Sequence, residues 1–191
     1  MRPSPVRIRH CAFLIIAIAL LAHSDLKAQA VAGTAHLTIT MNLQSSIGLV
    51  FKNSAAVGSP GFCPLSNAGT NNVGLDLGTA SFPGGSDSLA CVGYSKVGSA
   101  TYRVASAFDV VVTKANTTSP SYRLAAQISS PPPADVTWLM NGIALNNTGF
   151  TLLDASDNYG TAVTKTLQVQ VKNSVAAGPL FETITFLATA N

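Results

Sequence analysis

The 191-residue chain is 47% hydrophobic and only 10% charged, with a formal net charge of +3. Four of its 11 Lys+Arg (Arg2, Arg7, Arg9, Lys27) and one of its 8 Asp+Glu (Asp25) precede residue 31, so the remainder is formally neutral. A neutral chain without a basic cluster has no electrostatic footprint for nucleic acid or anionic lipid, and a net charge near zero favours association.

The first thirty residues read as an N-terminal signal peptide. Arg2, Arg7 and Arg9 open it, an uncharged apolar run fills 12–22, and Ala28-Gln29-Ala30 is an A-x-A cleavage signal, cut after Ala30. The run is shorter than the roughly 20 residues of a spanning helix. Cys11 stands at its start, whereas a lipoprotein leader places its cysteine after the run. No second run of spanning length follows, so residues 31–191 predict a single secreted domain without a transmembrane helix.

Period-two alternation broken by Gly, Pro, Asn and Ser dominates the rest. Ala35, Leu37, Ile39 and Met41 alternate with His36, Thr38 and Thr40, as in a strand. A short apolar run follows at 47–51, then a loop dense in turn formers at 59–72 and a strand over 73–82 that breaks at Pro83-Gly84-Gly85. Residues 102–113 are rich in β-branched and aromatic types. A turn at 116–120 leads into 122–128, as in a hairpin. Pro131-Pro132-Pro133 is a connector. Residues 136–145 surround an Asn141-Gly142 turn signal. A short strand at 150–153, a clean alternation at 162–171 and a last strand at 180–190 complete the chain. That last strand puts Ile184, Phe186, Ala188 and Ala190 on one face. No amphipathic helix appears after the leader. The expected fold is all-β, an immunoglobulin-like antiparallel β-sandwich after the signal peptide, with a closed barrel as the fallback.

Chemistry-bearing residues are sparse. Cys63 and Cys91 are predicted to pair in an oxidising compartment, closing a loop of about 28 residues and contributing about 3 kcal/mol. Two cysteines with no nearby His supply too few ligands for zinc, and their spacing is far from C-x-x-C. His36, on the polar face of its strand, has no G-x-S-x-G partner for nucleophilic catalysis. Asp154, Asp157 and Asn158 form the one acidic cluster. It lacks the calcium-loop order, and a polar turn after 150–153 is the expected reading. Asn116-Thr117-Thr118 and Asn146-Asn147-Thr148 are sequons best read as loop Asn. Trp138, Tyr94, Tyr102, Tyr122 and Tyr159 are expected to pack in the core rather than to form a carbohydrate platform. No phosphate loop opens a helix. No cofactor or metal is expected, and the chain is read as non-enzymatic, a hydrolase using distant carboxylates being the least favoured alternative.

One disulfide in the first half, a Leu75-Asp76-Leu77-Gly78-Thr79 segment between the cysteines and an alternating last strand together resemble bacterial spore-coat-U-like and chaperone–usher pilin subunits. Leu77-Gly78 stands where that group often carries an aromatic-glycine pair. Counting back from Asn191, Ala188, Phe186 and Ile184 fall at the fourth, sixth and eighth places and Gly178 at the fourteenth, as in a pilin end. Pilins often carry an aromatic next to last, where this chain has Ala190. The resemblance implies an exported structural or adhesive subunit at the cell surface. Such a subunit lacks one strand, is handled by a periplasmic chaperone, and assembles with itself or related subunits by β-strand addition. The candidate donor is residues 33–43, with Leu37, Ile39 and Met41 as plugs. Two alternatives stay open: the segment is the first strand of its own complete sandwich, or the chain is a self-contained binding module for a ligand such as a glycan, using its loops.

Overall fold

The computed structural model describes residue 41 and residues 46–81 and 86–191. Every regular element among them is a β-strand. In chain order these are β1 (Ser46–Lys52), β2 (Leu65–Ser66), β3 (Gly74–Leu75), β4 (Ala80–Ser81), β5 (Ser86–Asp87), β6 (Gly93–Lys96), β7 (Thr101–Ala115), β8 (Ser121–Ile128), β9 (Val136–Met140), β10 (Ile143–Ala144), β11 (Thr151–Asn158), β12 (Ala162–Lys172) and β13 (Ile184–Ala190). By contacts, Leu43–Asn191 forms one compact unit. Among the described residues no helix is long and apolar enough to cross a membrane.

The 15-residue β7 organises the larger sheet. One edge pairs with β12, in the order β1-β7-β12-β9-β10. The other edge is shared end to end. β1 pairs with residues 109–115 of β7, and β6 pairs with residues 102–105. Between them Ala107 N–H donates to Gly61 O, in a loop where Gly61 and Gly93 lie side by side and the left-handed backbone of Gly61 (φ 84°) favours glycine. A three-stranded sheet, β11-β8-β13, supplies the second layer. All ladders are antiparallel.

Alternation explains which faces meet. Tyr122, Leu124, Ala126 and Ile128 of β8 are all fully buried, and they share one core with Val110 and Val112 of β7, Trp138 and Met140 of β9 and Leu167, Val169 and Val171 of β12. The expected β9–β10 hairpin forms. Asn141 (φ 51°) and Gly142 (φ 81°) both take the left-handed conformation that its two-residue turn demands. The Cys63–Cys91 disulfide is present, and Cys63 N–H donates to the buried Ser106 Oγ of β7.

Four expectations are corrected. Residues 102–113 and 122–128 do not form a hairpin: β7 and β8 belong to different sheets, so the turn at 116–120 carries the chain from one layer to the other. Residues 73–82 form no continuous strand, only the two-residue pairings of β3 and β4. The last strand starts at Ile184, four residues later than expected: Ser129 N–H still donates to Thr183 O, and before that residue the Glu182 carboxylate accepts from Ser129 and Ser130 N–H. Asp154, Asp157 and Asn158 lie inside β11 and not in a turn.

Candidate functional site

β1 ends one sheet and β13 ends the other, and the two edges lie side by side. Between them runs a groove of about 870 Å³. Both strands and loop residues 69–72 line it, and the core-facing apolar side chains among them are Ile47, Leu49 and Phe51 of β1 and Ile184, Phe186 and Ala188 of β13. These are alternate residues of each strand, because one face of each points to the core. The wall is apolar at one end. Phe51 and Phe186 meet edge to face with centroids 5.1 Å apart, and both contact Phe108 beneath them, at 5.8 Å and 6.1 Å.

The backbone along the groove pairs with no further strand among the described residues. Phe51 N–H donates to Thr70 O (2.9 Å) and Gly69 N–H donates to Phe51 O (2.7 Å), so a loop occupies the outer edge of β1 at that residue. Alternation of the ladder turns the amide and carbonyl of Leu49 and Ile47 the same way. Among the described residues β1 pairs only with β7, and β13 only with β8. The groove therefore offers two rows of backbone donors and acceptors flanking apolar pockets, a template for one added strand. Among the described residues no ionisable side chain lines it.

The sequence-derived residues fall on this site unevenly. Ile184, Phe186 and Ala188 all face the groove. Gly178 is exposed in a bend before β13. Met41 is 73% exposed and in no strand. Leu37, Ile39, His36 and the cleavage residues Ala28 and Ala30 lie outside the described residues. Ile47 and Leu49, the facing wall, were legible only as an apolar run. The aromatic residues do not gather on a surface. Trp138, Tyr102 and Tyr122 are buried, and Tyr122 packs against Tyr159 with the rings tilted and their centroids 5.3 Å apart. Asn146 Oδ1 accepts from Thr148 and Gly149 N–H, which gives that sequon Asn a turn-holding role.

A second cluster sits between the sheets. Its sequence signal was parity: Lys165 shares the inner row of β12 with Leu167, Val169 and Val171. It is 1% exposed, the only charged residue in the buried set among the described residues. Its ammonium contacts Asp154 Oδ2 on β11, in the opposite sheet. Two irregularities in the β11–β8 register place Asp154 opposite Leu124 and Asp157 opposite Tyr122. Each inserts one extra residue, so carboxylates three positions apart both turn inward. Burial, then the charge of Asp154, push Asp157 above the ordinary carboxylate range. Burial, then Asp157 and Asp154, push the Tyr122 phenol up to about 12. Lys114 covers the group from outside, 4.9 Å above the Tyr159 ring.

The Tyr122 hydroxyl is buried without a hydrogen-bond partner. Tyr122→Phe deletes it and keeps the ring packing. We expect a change between neutral and a gain of about 1 kcal/mol, read from the urea midpoint. A loss of that size would mean that the hydroxyl has a partner worth keeping.

Among the described residues no group of three or more His, Cys, Asp or Glu is placed to hold a metal ion. Comparison with protein-family models, with curated proteins and with solved structures returns no match for this chain.

Proposed function

We propose that this chain is an exported, non-enzymatic structural or adhesive subunit: an immunoglobulin-like sandwich short of one strand, completed by a segment from a neighbouring copy. The observation that carries this reading is the groove between β1 and β13, apolar inside and flanked by two strand edges that, among the described residues, pair with no further strand. The proposed occupant is residues 33–43 of the next copy. Its Leu37, Ile39 and Met41 repeat every second residue, about 7 Å apart in a strand, which is the spacing of the groove walls. Apart from His36 the segment has no titratable side chain, which suits a groove lined by none. Backbone bonds would supply affinity and the alternate plugs register. Before assembly a periplasmic chaperone would cover the same edges. The disulfide is compatible with export.

The test is size-exclusion chromatography of the mature protein beside SDS gels of boiled and unboiled samples, repeated after deletion of residues 32–41. We expect a ladder that survives SDS and collapses on boiling. The deleted form should be a folded monomer that forms no ladder and that a peptide of residues 33–43 occupies. A deletion that unfolds the domain overturns the exchange and assigns the segment to its own sheet. A wild-type monomer at all concentrations, with no uptake of the peptide by the deleted form, overturns the groove as an assembly site.

A further inference from the structure

We propose that the Lys165 side chain condenses with the Asp154 carboxyl to form an intramolecular isopeptide bond, a covalent tie between the two sheets. The inference stands apart from strand exchange and uses none of the groove residues.

Placement is the first argument. Lys165 projects from β12 into the interior beside Phe108, its register partner on β7, and its ammonium reaches Asp154 on β11. The Lys165 side chain is 1% exposed and that of Asp154 19%. The contact does not have hydrogen-bond geometry, and Asp154 Oδ2 is buried with no hydrogen-bond partner. An ion pair held this far from water with its carboxylate oxygen so placed is weakly stabilising, because desolvation of two charges exceeds their attraction unless the remaining polar atoms are satisfied. Turning the pair into one neutral amide removes both charges from the core.

Chemistry is the second argument. Proton transfer within the pair gives a free amine and a carboxylic acid. The Nζ lone pair attacks Asp154 Cγ and a C–N bond forms. The tetrahedral centre then loses one oxygen as water, and the C–O bond breaks. The two hydrogens of that water are the acid proton and one amine proton. No oxidant, reductant or activated ester is required. The step needs a group that gives a proton to the developing oxyanion and takes one from the nitrogen. Asp157 is that group. The β11 irregularity brings it inward beside Asp154, its Oδ2 is buried without a partner, and it is the carboxyl here that holds its proton above the usual range. Buried surroundings also keep bulk water from reversing the reaction.

Peptide mass spectrometry of the folded, purified protein tests this. Trypsin cuts after Arg123, Lys165 and Lys172 when lysine is free. With the bond formed, cleavage after Lys165 fails and the peptide spanning 124–172 lacks the mass of one water. A second cut before Asp157 then leaves its two pieces joined. Lys165→Arg restores the full mass, and Asp157→Asn leaves the bond unformed in a folded protein. Free cleavage after Lys165 with no water lost overturns the bond and leaves an ion pair. A water lost from pieces that separate after the second cut also overturns it, since a cyclic imide at the aspartate would behave that way. Full linkage in Asp157→Asn overturns the role given to Asp157. The wild-type digest decides the bond whether or not either variant folds.

Discussion

Lys165→Ala is expected to lower unfolding stability by about 3–5 kcal/mol, measured by urea denaturation. The substitution leaves the Asp154 carboxylate facing the core with no cation on β12 to meet it. The direction is the same whether the native contact is an ion pair or an amide, because both are lost with the amine. Lys165→Met combined with Asp154→Leu should recover most of the loss, since two apolar residues of similar size suit a row that already holds Leu167, Val169 and Val171. A double variant as unstable as the single one would mean that the charges organise the strand irregularity itself and do more than neutralise each other.

Replacing Cys63 and Cys91 by alanine should cost about 3 kcal/mol, which is about 10 °C in midpoint for a domain of this size. Scanning calorimetry of the double variant reads it directly. The bond matters here because of what it encloses. Between β1 and β6 the strand pairings among the described residues are the two-residue ones of β2 with β3 and β4 with β5. Few backbone ladders hold that region, so the cross-link and the buried Cys63, Leu65 and Val92 carry most of its order. A midpoint unchanged within a degree or two would show that these apolar contacts suffice alone.

The β-rich character was legible because alternation reports a half-buried strand directly. The β9–β10 hairpin was legible for a stronger reason: Asn141 and Gly142 both tolerate a left-handed backbone, and few other pairs do. The same logic failed at 116–120. A turn signal marks a change of direction, and a change of direction serves a crossing between layers as well as a hairpin. It failed again at Asp154 to Asn158, where turn-forming side chains yielded to pairing with β8, whose inner face is fully buried. Lys165 stood in the apolar row of a strand that had been correctly placed, yet its type argued for a surface position. The groove was the least legible feature. Ile47 and Leu49 read as apolar, but no local pattern tells which strand edge the fold leaves unpaired.

The disulfide has a mechanical meaning as well. Its sulfur atoms hold residues 28 positions apart with α-carbons 4.9 Å from each other. If a string of such domains were pulled from its ends, each could yield its ladders yet keep that enclosed stretch folded away. The stretch amounts to on the order of 90 Å of extended chain. A chain so bonded reaches its taut length early, and the slack it would otherwise release into the string is withheld for as long as the surroundings stay oxidising.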